Sequence, residues 1–199
     1  MVITGNIIRR EESTIPNHVR NVLKFSKLSA KDKEFILDHF ATEMNPEGDK
    51  DIYPLNRYFD FDKIIAEPRK KEECDPDCLV SEHSHVIEDK ERPWFDWYAW
   101  HNKYWGTKWN CYDGYVKVGT STITFVFSTA WSAPFPIYEQ LARFFCFKFE
   151  VRYADEDYGS NCGKLIYDPE KTGFEDIVHI TERDLLNADQ FARNLWREY

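Results

Sequence analysis

The stretch that most limits how this chain can fold runs from residue 121 to 153. Ser121–Ser128 reads STITFVFS, a β-branched and aromatic run of strand length. Ser132 is a good helix N-cap and Pro134 suits a first turn. Ile137, Leu141, Phe144 and Phe145 then recur at helical spacing. Phe147, Phe149, Val151 and Tyr153 alternate with charged residues, as in a strand with one solvated face. A strand, a helix and a strand joined by short links make a right-handed crossover, so strands 121–128 and 147–153 are expected to run parallel.

The remaining elements arrange themselves around that unit. Tyr115–Val118 precedes Gly119-Thr120 and reads as a hairpin partner of 121–128. His18–Ser26 (HVRNVLKFS) reads as a strand. Ser29 with Asp32 has capping-box spacing ahead of a helix over 30–44, which Asn45-Pro46 and Gly48 stop. Tyr58–Ile65 (YFDFDKII) alternates as a second strand. Trp94–Trp105 (WFDWYAWHNKYW) reads as a helix with Trp94, Trp97, Tyr98, His101 and Trp105 on one face, ended by Gly106. Lys164–Tyr167 is another strand after the turn at Gly159–Gly163. Thr181 and Asp184 sit at capping-box spacing before a C-terminal helix carrying Ala188, Phe191, Ala192, Leu195 and Trp196. This order predicts one α+β domain over 1–199 with a ferredoxin-like split βαβ core. Its sheet is mainly antiparallel, with helices on one face. A loop is inserted at 66–93, and a helical extension covers 168–199.

Composition narrows the function classes. Aromatic residues make up 17% of the chain, with seven Trp, which fits a packed core and excludes wholesale disorder. The net charge is −9, so a broad basic field for DNA or an anionic membrane is not expected. Between Glu150 and Asp184 ten acidic residues stand against four basic ones. Such a surface would repel phosphate and attract a basic protein. No apolar run reaches membrane-spanning length, no signal peptide is read at the start, and five Cys is a sparse, odd number for a disulfide scaffold; the expected location is the cytoplasm.

The 66–93 insertion holds Cys74, Cys78, His83 and His85 as C-x3-C-x4-H-x-H. Four nitrogen and sulfur ligands within twelve residues suit a structural zinc, which would shape a loop without apolar period. Incidental Cys and His in a solvated loop is the plainer alternative. Cys111 or Cys162 with His101 or His179 would make a weak Cys–His pair, and Cys146 in its Phe-rich setting reads as a core residue.

Topology makes a further prediction. Parallel strands end at one sheet edge, so Trp131 and Ser132, after the first strand, should meet Asp155, Glu156 and Asp157, after the second. A hairpin partner begins at that edge too and brings in Lys108 and Trp109. The ordinary role of Trp109 and Trp131 would be to plug the core. The ordinary role of the acids would be turn chemistry, although two of them could hold a divalent cation.

The residues in this order resemble the YubB-type family of phage and plasmid proteins. The resemblance rests on Ile15-Pro16-Asn17-His18, on 105–110 (WGTKWN), on 129–134 (TAWSAP), and on Tyr153–Asp157 followed by 159–163 (GSNCG). It implies a ferredoxin-like domain and a mobile-element origin, and carries no established catalytic residues. The expected function is therefore that of an accessory protein which binds and inhibits a host protein with a basic surface, an anti-defence role. A small-ligand or nucleotide module at the three-loop edge is the first alternative. A metal-dependent hydrolase or nuclease using Asp155, Glu156 and Asp157 is the second.

Overall fold

A computed structural model describes residues 17–43, 57–81, 89–171 and 177–199. Its framework is a six-stranded sheet. Strand β1 (His18–Ser26) lies between β5 (Thr122–Ala130) and β6 (Phe149–Asp155) and is antiparallel to both. β4 (Tyr112–Val118) flanks β5, and β7 (Cys162–Tyr167) and β8 (Val178–Thr181) continue beyond β6, giving the order β4-β5-β1-β6-β7-β8. Because β5 and β6 both oppose β1, they are parallel to each other without touching. The crossover helix α3 (Phe135–Phe144) joins them, which is the split βαβ arrangement expected.

The alternation of each strand divides the sheet into two faces. Val19, Leu23 and Phe25 of β1, Phe125 and Phe127 of β5, and Phe149 and Val151 of β6 all enter the main core. Helix α1 (Ala30–Phe40) contributes Ile36 and Phe40 to it, and α3 contributes Ile137, Tyr138 and Leu141. Burying each of these side chains contributes about 1.5–3 kcal/mol. The C-terminal helix α4 (Ala188–Glu198) lies on the opposite face, where Ala192 and Leu195 cover Val22, Val126, Ala154 and Cys162.

One buried polar group ties the layers together. Asn21, in the middle of the central strand, is fully buried. Its amide donates to the Val19 carbonyl and to Thr129 Oγ1, both at 2.9 Å, and its Oδ1 accepts from the Tyr138 hydroxyl at 2.9 Å. A satisfied polar group of this kind holds α3 in one position on the sheet.

Several boundaries differ from the sequence reading. The capping box of Ser29 and Asp32 opens α1 as expected, with Ser29 N donating to Asp32 Oδ2 at 2.8 Å. The helix nevertheless ends at Phe40, because Ala41–Glu43 forms β2 and pairs with β3 (Arg57–Phe59). The expected strand over 58–65 is therefore short. Asp60 caps a 3-10 turn at Phe61–Lys63 by accepting from Asp62 N at 3.1 Å. Helix α2 (Trp97–Tyr104) starts three residues later than expected, where Asp96 accepts from Ala99 N at 3.0 Å. Ser132 does not cap α3. Its hydroxyl donates to the Ala133 carbonyl at 3.0 Å, and Pro134 stands at the cap. Thr181 and Asp184 bond to each other but close a turn after β8. Asn187 is the cap of α4, accepting from Gln190 N at 2.9 Å.

Gly106 ends the aromatic helix at a φ of +76°, a region glycine enters without strain. A Cβ there would stand 2.6 Å from Pro136 Cδ. The absence of a side chain lets the 106–110 turn lie against the start of α3.

Candidate functional site

The sheet edge at which β5 and β6 end and β1 and β4 begin gathers the expected loops. Two residues hold the backbone there in the left-handed region, Trp131 (φ 66°) and Asn161 (φ 44°). Both are pinned. Trp131 N donates to the Asn17 carbonyl at 2.9 Å, and Asn161 Nδ2 donates to the Trp131 carbonyl at 2.9 Å.

The three consecutive acids act as the frame of this edge. Asp155 is buried, 5% exposed, and its carboxylate accepts from Asn17 Nδ2 at 3.3 Å, Asp157 N at 2.9 Å and Asn161 Nδ2 at 2.9 Å. Glu156 extends the pairing with β1: its N donates to the His18 carbonyl (2.9 Å), and its Oε1 accepts from His18 N (2.8 Å). Asp157 accepts from Asn17 Nδ2 at 2.8 Å. These partners tie the start of β1 to the end of β6. Asn17 and Asn161 belong to the motifs that carry the family resemblance but were given no part in the site, although Asn-rich turns beside acids are a recognisable turn signal.

The aromatic half of the edge is not core. Trp109 is 37% exposed and Trp131 half-buried, so the expectation that both plug the core is corrected. The plugs are Trp100 and Trp105, which pack with Phe61 and Phe95. Lys108 explains the difference. Its ammonium lies 4.6 Å from the Trp109 ring and 5.1 Å from the Trp131 ring, bridging the two indoles at the surface. Tyr98 abuts Trp131 edge-on at 6.4 Å, and Tyr112 abuts Trp109 at 6.2 Å. The Tyr112 hydroxyl donates to the Thr129 carbonyl at 3.2 Å and accepts from His18 Nδ1 at 2.6 Å; burial pushes its pKa up to about 12. Ser132 contributes through its backbone, accepting from Thr129 Oγ1 at 2.7 Å. Of the expected site residues, Lys108, Trp109 and Trp131 form one cluster, while Asp155, Glu156 and Asp157 form the adjoining frame.

Beside Trp109 opens a polar hollow of about 340 Å³, lined by Tyr58, Asp60, Glu67, His101 and Asn110 among others. The loop after β3 supplies Asp60 and Glu67, which the sequence reading left inside a strand and an insertion. His101 is stacked on Trp105 with ring centroids 4.1 Å apart. Its Nδ1 donates to the Lys108 carbonyl at 2.8 Å, and its Nε2 is 2.6 Å from Glu67 Oε1. Arg92 completes the group with a 2.7 Å ion pair to Glu67. Burial alone would raise the Glu67 pKa, but hydrogen bonds and charge from His101 and Arg92 outweigh it and hold the carboxyl below its usual range. Asp60 accepts from Asn110 Nδ2 at 2.8 Å, and Asn110 Oδ1 accepts from Phe61 N at 3.0 Å, fixing the 106–110 turn against the hollow.

The expected zinc ligands are only partly in view. Cys78 is buried, with its thiol pushed up to about 11 by burial, and Cys74 Sγ donates to the Cys78 carbonyl at 3.4 Å. His83 and His85 lie outside the described residues, and among the described residues no three metal-ligating side chains cluster. The 75–77 turn is tied to α2 instead: Asp75 pairs with Lys103 at 2.9 Å and accepts from the Tyr104 hydroxyl. The suggested Cys–His pairs find other partners. Cys111 donates to the Phe59 carbonyl, while His179 Nε2 meets the Tyr153 hydroxyl at 2.8 Å. Cys146 is exposed at the end of α3, because the chain leaves the helix there before β6 begins; the core reading is corrected.

Residues 104–196 match a family model described as a ferredoxin-like domain in Api92-like protein. No curated protein and no solved structure matches the chain. The matched segment contains β4 to β8, α3 and most of α4, and excludes β1, the strand at the middle of the sheet. No helix among the described residues is long and apolar enough to cross a membrane.

Proposed function

We propose that this chain is a non-enzymatic accessory protein of a mobile element, of the YubB type, that binds a basic surface of a host protein and inhibits it. One observation carries the reading: an exposed tryptophan, Trp109, clamped by Lys108 on a rigid edge whose neighbouring turn displays Glu156 and Asp157. Tryptophan is enriched among the few residues that carry most of the binding energy at protein interfaces. Acidic side chains beside such an anchor steer a basic partner and set its orientation. The carboxylates of the edge are engaged by Asn17, Asn161 and backbone N–H groups, which suits a frame better than a metal-holding triad.

The test is capture from host lysate with wild type, Trp109→Ala and the pair Glu156→Gln/Asp157→Asn, each checked for an unchanged melting temperature. The reading expects one defined protein, bound less tightly as salt rises and lost from the Trp109 variant. Recovery of no partner, or equal recovery by all three proteins, overturns it. A second reading, a small-ligand module at the same edge, is favoured by the polar hollow beside Trp109. A ligand that raises the melting temperature of wild type and not of Asn110→Ala would select it.

A further inference from the structure

The net charge of −9 hides a difference between the two faces of the sheet. On the face that carries α4, the register sets Lys117 opposite Thr124, Thr124 opposite Lys24, and Lys24 opposite Glu150. The adjoining row runs Tyr115, Val126, Val22, Arg152, Lys164. Glu150 is the only acid that the described strands pair within these rows, against four cations. Lys24 and Lys117 are exposed and two strands apart, about 10 Å. Among the described residues neither they nor Lys164 form a salt bridge, whereas Arg152 is shared between Glu198 at 3.2 Å and Glu150 at 3.9 Å.

Aromatic rings stand among these charges. Lys117 Nζ lies 4.8 Å from the Tyr199 ring and 5.2 Å from the Tyr115 ring. Arg152 lies 5.5 Å from the Tyr199 ring and donates to its hydroxyl at 3.0 Å. Lysines without salt bridges among the described residues, interleaved with two half-buried tyrosines beside α4, are unusual in an acidic protein. Charge of this sign calls for an anionic ligand, and the tyrosines call for one with flat faces.

We infer that this strip binds single-stranded nucleic acid, with Lys24, Lys117 and Lys164 on the phosphates and Tyr115 and Tyr199 as stacking surfaces. Unpaired bases stack on aromatic side chains without regard to sequence, and a cationic groove follows the backbone. The acidic remainder of the surface disfavours a long duplex, whose phosphates would extend past the strip. A short single strand is confined to the strip and avoids that repulsion. This face is separate from the Trp109 edge, so the inference does not rest on the proposed protein partner.

Fluorescence anisotropy with labelled oligothymidylate and oligouridylate of about twelve nucleotides tests it. Wild type should bind at least one of them at low salt, with affinity falling as salt rises. The double variant Lys24→Glu/Lys117→Glu should bind about tenfold more weakly or less, and Lys24→Gln/Lys117→Gln should fall between. Both lysines are exposed strand positions, and a melting curve checks that each variant is folded. Trp109→Ala should bind like wild type. The inference is overturned by no binding to either oligonucleotide, by equal binding of the double variant, by loss of binding in Trp109→Ala, or by a duplex or oligoglutamate competing as well as the single strand.

Discussion

The Tyr138 hydroxyl of α3 donates to the side-chain carbonyl of Asn21 at 2.9 Å, and both residues are fully buried. A single hydrogen bond thus joins the crossover helix to the central strand. The same Asn21 amide bonds Thr129, whose hydroxyl donates to the Ser132 carbonyl in the loop carrying Trp131. Two hydrogen bonds lead from the middle of the sheet to the candidate site.

Tyr138→Phe is expected to cost about 1 kcal/mol, the worth of one net hydrogen bond. Asn21→Ala should cost more, about 3 kcal/mol, because it leaves the Tyr138 hydroxyl without its acceptor, takes a donor away from Thr129 Oγ1 and opens a void. Urea unfolding of the two variants measures both. Equal effects would mean that Asn21 acts only through Tyr138.

Asp155→Ala is expected to loosen the edge and to destabilise the fold by about 2–3 kcal/mol, since one buried carboxylate satisfies three donors. Chemical denaturation gives the stability loss. The fluorescence of Trp131, read against a Trp131→Phe background, should report a more solvated indole.

Glu67 gives the hollow a pH dependence. Its carboxyl is held below the usual range by His101 and Arg92, so its contribution is present above the unfolded value of about 4.3 and is lost as pH falls through the lower folded value. Melting temperature should therefore fall more steeply with acid in wild type than in Glu67→Gln below about pH 4.3. Parallel curves for the two proteins would show that the network contributes nothing to stability.

Gly106→Ala should destabilise by more than the usual helix-end substitution, because the left-handed φ and the 2.6 Å approach to Pro136 act together. The expected loss is about 2 kcal/mol or more, read by thermal melting. Moving Pro136 to Ala in the same chain should recover part of it.

Much of the sheet and its edge was legible because strand alternation and the length of the 121–153 unit leave few topologies open. Parallel β5 and β6 followed from the crossover, and with them the meeting of Trp131 with Asp155. The position of β1 between them was not legible, since no local pattern in His18–Ser26 names its neighbours. The hollow was missed for a related reason. Asp60 sits in a stretch whose alternation resembles a strand and Glu67 in the insertion after it, but Asp60 caps a 3-10 turn and ends the pairing after three residues. Trp109 was misjudged because exposure depended on Lys108, a neighbour whose contact with two rings exists only in the folded loop.

The placement of β1 also bears on how the molecule comes together in time. His18 pairs with Ala130, and Val19 with Asp155, more than a hundred residues away. On the ribosome β1 emerges before both its sheet neighbours and finds neither until the chain has passed residue 122. The β4–β5 and β6–β7 hairpins pair locally, but joining them through β1 closes a loop of about a hundred residues, the kind of non-local step that slows folding. In the interval its apolar residues, Val19, Val22, Leu23 and Phe25, lack both flanking strands and stay exposed to aggregation.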